Sequence, residues 1–118
     1  MYKIAILVLA DTSTHENLGR IVNALEVAKE AKESGDDVKI IFDGGGTTWI
    51  PKLIDSDSQL HPLYEAVKDK IEGACYFCAK AFDVFKVIKE SEIELLKEYD
   101  DHPSIRNLYT NGYKIITF

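Results

Sequence analysis

The stretch Gly73 to Phe82 reads GACYFCAKAF and holds both cysteines of the chain, Cys75 and Cys78, in a C-x-x-C spacing. A short run before it suits a buried strand, and Phe82, Phe85 and Ile88 recur behind it at helical spacing. Lys70 to Tyr76 is therefore expected to hold a strand and Ala79 to Lys89 a helix, with Cys75 at the junction. Unpaired N–H groups and the positive end of the helix dipole at such a junction stabilise a thiolate and lower a cysteine's pKa. That makes Cys75 the first candidate for chemistry.

Working outward, the same strand-then-helix alternation recurs. Tyr2 to Ala10 is nearly continuous in apolar residues, as a strand buried on both faces of a parallel sheet should be. Ser13 and Glu16 fit a capping box, and Leu18, Ile21, Val22, Leu25 and Ala28 share one helical face that ends at Gly35. Asp37 to Asp43 is a second strand. Trp49 to Ile54 reads as a turn or two of helix, Asp55 to Gln59 as a polar loop, and Pro62 as the first position of the next helix. Its buried face is Leu63, Ala66, Val67 and Ile71. A strand is expected near Leu95 to Tyr99, a helix over Ser104 to Thr110 and a last strand over Tyr113 to Phe118. This alternation predicts an α/β fold: a three-layer α/β/α sandwich with a mainly parallel five-stranded sheet, residues 1–118 forming a single domain.

Composition narrows the function classes. With 46% hydrophobic and 29% charged residues the chain reads as an ordinary globular protein. Its net charge of -6 repels phosphates and argues against a nucleic-acid surface. No apolar run reaches membrane-spanning length, so no membrane partner is expected. Without an export signal in MYKIAILVLA, a reducing cytoplasm is the expected location.

After the second strand comes GGGTTW, Gly44 to Trp49. It lacks the GK[ST] of a phosphate loop and the G-x-G-x-x-G of a dinucleotide fold, so a turn in which Thr47 or Thr48 caps a short helix is favoured. A further reading keeps Gly44, Gly45, Gly46, Thr47, Trp49 and Tyr76 as the rim of a pocket, because open α/β sheets bind ligands at that edge. Trp49 is more simply a cover for one end of the core.

Four readings of the cysteines compete. A zinc site needs about four ligands, of which the C-x-x-C supplies half, and His15, His61 and His102 are scattered with surface or capping roles. Hence no metal and no cofactor are expected. A thioredoxin-like redox pair normally follows an earlier strand than this one. Buried packing suits Cys78, a turn into the helix, better than Cys75. The fourth reading makes Cys75 a carrier of sulfur.

The segments KIAILV, FDGGGTTWIP, GACYFCAKAF and HPSIRNLYTNGYKIITF together resemble the DsrE/DsrF-like family, over nearly the full length of the chain. The resemblance implies a small stand-alone member in which Cys75, at the end of the third strand, accepts persulfide sulfur and passes it on. It also implies a homo-oligomer, trimer or hexamer, exchanging sulfur with a donor or acceptor protein. Relay subunits of the family do not depend on a C-x-x-C, so Cys78 is left as a resolving thiol or a packing residue. The alternatives are a thiol–disulfide redox protein using Cys75 and Cys78, or a non-catalytic small-ligand or interaction module on the same scaffold.

Overall fold

Ile4 to Val8 offers only apolar side chains, most of them β-branched or long, and no polar residue that would need water. In the computed structural model, which describes residues 1–118, this stretch lies in β1 (Lys3–Val8), inside a sheet between β2 (Asp37–Phe42) and β5 (Lys114–Thr117). The sheet is completed by β3 (Ile71–Cys75) and β4 (Leu95–Leu96), in the order β4-β3-β2-β1-β5. Every pairing is parallel. Between the strands run α1 (His15–Glu33), α2 (Ile50–Ile54), α3 (His61–Val67), α4 (Tyr76–Ala81), α5 (Phe85–Lys89) and α6 (Ile105–Thr110). No helix is long and apolar enough to cross a membrane.

Alternation along the strands divides the core. Ile6, Val8, Ile40 and Phe42 pack into a cluster of 19 buried residues to which α1 through α5 all contribute. Ala5, Leu7 and Ile41 point the other way, into a cluster of 6 that includes Leu96, Leu108 of α6 and Tyr113. Each fully buried Ile, Leu or Phe adds about 1.5–3 kcal/mol relative to exposure, so the first face carries most of the stability. The three layers predicted from the sequence are present, but unequal. On the thinner face Lys39 pairs with Glu72 at 3.4 Å, and the Tyr113 hydroxyl donates to Asp37 at 2.8 Å beneath the ammonium groups of Lys3 and Lys39.

Several local expectations shift. The cap of α1 is Thr14, whose hydroxyl accepts the Asn17 N–H, rather than Ser13; Ser13 is held instead by the Asp11 carboxylate. Leu18 is exposed, and Ala24 and Ala31 join Ile21, Leu25 and Ala28 on the buried face. The single helix expected over Ala79 to Lys89 is two helices. Asp83 adopts a left-handed φ of 60°, its N–H bonds the Lys80 carbonyl, and the Val84 N–H bonds the Ala79 carbonyl. This is the Schellman arrangement that ends helices, built here on an aspartate instead of the usual glycine. The strand expected near Leu95 to Tyr99 shrinks to Leu95–Leu96, because the chain turns back at Tyr99.

Candidate functional site

Parallel strands bring their carboxyl ends to one edge, and the register of this sheet fixes which residues meet there. Phe42 pairs with Ala74 and Leu96 with Cys75, so Asp43, one residue beyond β2, comes beside Cys75 at the end of β3. Cys75 is also the cap of α4: its sulfur accepts the Cys78 N–H at 3.4 Å. The helical turn that begins there places Cys78 over Asp43, and its thiol donates to the Asp43 carboxylate at 3.5 Å.

The fourth participant arrives from beyond β4. Tyr99 and His102 exchange backbone hydrogen bonds around Asp100 and Asp101, both at positive φ (47° and 65°). A two-residue turn of this hand suits a twisted hairpin, and aspartate tolerates the conformation. The Asp101 carbonyl then accepts the Phe77 N–H, one of the orphan donors of α4, at 2.9 Å. So tied, the turn sets the His102 ring 4.8 Å from the Phe77 ring and its Nδ1 3.2 Å from the Cys75 sulfur.

Asp43, Cys75, Cys78 and His102 thus converge, with one donor atom of each lying within 4.8 Å of the others. Cys75 is 0% exposed, whereas Cys78, Asp43 and His102 are half-buried and screen it from solvent. This reverses the expected order of exposure. It also reverses the expected pKa: burial pushes the Cys75 thiol up to about 12, and the neighbouring Cys78 thiol and Asp43 carboxylate push the same way against the Cys78 N–H. The helix of 6 residues that Cys75 caps is too short for its dipole to outweigh desolvation. At neutral pH Cys75 therefore rests as a thiol, with an imidazole nitrogen at hydrogen-bonding distance.

The residues expected to rim a pocket separate. Gly44 to Trp49 form a 3-10 turn capped by Asp43, whose carboxylate accepts the Gly44 N–H at 2.8 Å, and neither threonine is the cap. Thr47 is buried and donates to the Gly44 carbonyl. Gly46 lies so close to β1 that a Cβ there would stand 1.9 Å from the Val8 carbonyl oxygen, and one on Gly45 would stand 2.8 Å from the Asp11 Cβ. These two glycines serve a close backbone approach rather than room for a ligand. Trp49 is 3% exposed and its indole N–H donates to the Ala10 carbonyl, so it covers the end of the core. Tyr76 borders an open cleft, of about 320 Å³, shared with Phe77, Lys80, Ala81 and Asp101.

Asp43 and His102 are the site residues that sequence reasoning missed. For His102 the signal lies in DDHP, whose turn-forming aspartates behind a short apolar strand let the chain double back to the sheet edge. Asp43, an acid at the carboxyl end of β2, neighbours the end of β3 through the pairing of the two strands, which no local pattern states. His61 keeps the plain role expected at the start of α3, between the Leu53 carbonyl and Glu65.

Comparison with known proteins places this geometry in context. The model of the DsrE/DsrF-like family matches residues 4–118. The chain is 32% identical over 115 residues to an uncharacterised protein of Methanocaldococcus jannaschii, covering 97% of this chain and 93% of that protein. Among solved structures it is similar to the ychN protein of E. coli, with a TM-score of 0.69 and 19% identity over 100% of both chains. A conserved protein of unknown function from Bacteroides thetaiotaomicron gives a TM-score of 0.62 at 20% identity, over 97% of this chain and 94% of that one. At such identities the two structures support the fold alone.

Proposed function

The chain belongs to the DsrE/DsrF-like family, a family associated with sulfur relay, and from that premise we propose that it carries sulfane sulfur as a persulfide on Cys75. The observation that supports this most is the setting of the Cys75 sulfur, which has His102 Nδ1 at 3.2 Å and the Cys78 N–H at 3.4 Å. A thiol held neutral by burial needs a base within reach, and His102 is that base.

The transfer runs as follows. His102 takes the Cys75 proton, and the thiolate attacks the outer sulfur of a donor persulfide. The donor's S–S bond breaks as the Cys75 S–S bond forms, and the donor leaves as a thiolate that recovers the proton. The Cys78 N–H remains in place for the negative persulfide. An acceptor thiolate attacking the outer sulfur returns Cys75 to its starting state. Because Cys75 is covered, exchange requires the half-buried side chains over it to part while His102 Nδ1 stays within reach of its sulfur. Partners in this account are a sulfur donor or acceptor protein and further copies of the chain in a homo-oligomer, trimer or hexamer, within a reducing cytoplasm.

Cys78 can resolve the persulfide. Its thiolate attacks Cys75 Sγ, hydrosulfide leaves, and a Cys75–Cys78 disulfide remains; the sulfane sulfur is reduced by two electrons at the expense of the thiols. An external dithiol then restores the pair. The thiol–disulfide alternative draws on the same proximity, within 4.8 Å. Intact-mass analysis after exposure to a small persulfide donor tests the proposal: Cys78→Ser gains one sulfur atom, the parent protein gains one or, once Cys78 has resolved it, weighs two hydrogens less, and Cys75→Ser, left with Cys78 alone, gains less. Equal uptake by Cys75→Ser would refute it.

A further inference from the structure

We propose that Asp43, Cys75, Cys78 and His102 form a four-ligand site for a zinc-class divalent cation, at which two thiolates, an imidazole and a carboxylate meet from separate parts of the chain. The C-x-x-C alone supplies two ligands; the sheet register brings a carboxylate and the Tyr99–His102 turn brings an imidazole. A donor set of two sulfurs, one nitrogen and one oxygen is the borderline-soft mixture that zinc accepts, whereas magnesium and calcium sites are built from oxygen.

The distances suit a tetrahedral ion. Bonds of about 2.0–2.3 Å to N, O and S space the ligands about 3.3–3.8 Å apart. Cys75 Sγ and His102 Nδ1 already stand 3.2 Å apart, Cys78 Sγ and Asp43 Oδ1 stand 3.5 Å apart, and no pair of donors exceeds 4.8 Å. Contraction of the widest pairs by about 1 Å therefore closes the site. The ligands are also supported from behind. The Gly44 N–H holds the Asp43 carboxylate and the Cys78 N–H points at the Cys75 sulfur. The Phe77 ring backs the His102 imidazole. Such outer contacts orient ligands in metal sites. With two thiolates, a carboxylate and a neutral imidazole the bound centre carries one net negative charge, and both thiol protons leave as the ion enters.

The consequence for the chain is competition. With the ion bound, the Cys75 sulfur is a ligand and does not attack a persulfide; with sulfur on Cys75, the cluster loses a thiolate. The site does not depend on the persulfide reading, since metal uptake is measured with no sulfur donor present, and Cys78→Ser separates the two by losing the metal while still loading sulfur.

The test titrates reduced protein, stripped of metal, with cobalt(II) and then with zinc(II). One equivalent of cobalt should give a thiolate-to-metal charge-transfer band with the intense visible bands of a tetrahedral ion, and zinc should displace it. Cys78→Ser and His102→Gln should each weaken zinc binding at least about 100-fold, more than the loss of an outer contact does. Their circular dichroism before titration reports whether they fold. Asp43→Asn should weaken binding and leave both thiolate ligands visible in the cobalt spectrum. A cobalt spectrum of the unaltered protein that lacks thiolate charge transfer, or affinity that survives replacement of both cysteines by serine, would overturn the proposal without reference to any single variant's stability.

Discussion

A thiol-specific disulfide reagent should find Cys75 slow, and the structure says by how much. An ordinary cysteine with a pKa of 9.0 is about one-tenth ionised at pH 8, whereas Cys75, pushed to about 12, is about one ten-thousandth ionised. The reactive fraction falls about a thousandfold. A more basic thiolate is the better nucleophile, and with a Brønsted slope of about 0.4–0.5 three pKa units return a factor of about 15–30. The net slowing from ionisation is then about 30–70-fold, before the barrier of reaching a residue that is 0% exposed. In Cys78→Ser protein, which keeps the burial but not the neighbouring thiol, the remaining thiol should still react more slowly at pH 8 than a small thiol of ordinary pKa. Its rate should still climb about tenfold per pH unit between pH 8 and 10, where an ordinary thiol levels off. The single-thiol Cys75→Ser protein should react faster, because Cys78 is half-exposed. A Cys75 that reacts as fast as the small thiol, or whose rate levels below pH 9, would show that the start of α4 stabilises the thiolate after all.

Gly46→Ala should lower the free energy of unfolding by about 3 kcal/mol or more in urea, because its Cβ meets the Val8 carbonyl at 1.9 Å and β1 cannot yield; a loss below about 0.5 kcal/mol would contradict this. Tyr113 is held protonated to about 12, first by burial and then by its hydrogen bond to Asp37. Because the folded pKa is raised, the unfolded chain loses this proton first as pH rises past about 10, and stability falls between there and about 12. Tyr113→Phe should lessen that alkaline decline, the rest coming from Tyr64, whose hydroxyl burial also holds protonated, and difference absorbance should show the variant losing a late-ionising tyrosine. His102→Gln should slow sulfur loading at pH 7 by about 100-fold, the usual reach of a general base, and the deficit should narrow above pH 9; an unchanged pH profile would remove His102 from the chemistry.

Most of the fold was legible because apolar periodicity reports burial directly. β1, β2 and the Cys75 strand lie where unbroken or alternating apolar runs put them, and α1 follows its stripe of Ile21, Leu25 and Ala28. What escaped was set by backbone conformation at aspartates. Asp83, Asp100 and Asp101 all sit at positive φ, a state that glycine advertises in a sequence and aspartate does not. Missing the first merged α4 with α5; missing the other two hid the turn that carries His102. The site suffered for a related reason. Helix-start reasoning located Cys75 correctly at the end of β3 but assumed a solvated first turn, whereas Asp43, Cys78 and His102 fold over it and desolvation dominates its pKa. Proximity across strands depends on register, and no local pattern in FDGGG or DDHP states it.

The central claim is that Cys75 carries transferable sulfur, and following one labelled atom tests it most directly. Cys78→Ser protein, free of metal, is exposed to a donor persulfide labelled at its outer sulfur, trapped with an alkylating agent and digested. The label should sit on the peptide holding Cys75, as an alkylated persulfide, and should move to an added acceptor thiol when trapping is delayed. Label that never reaches Cys75, or that stays there in the presence of an acceptor, would contradict the account.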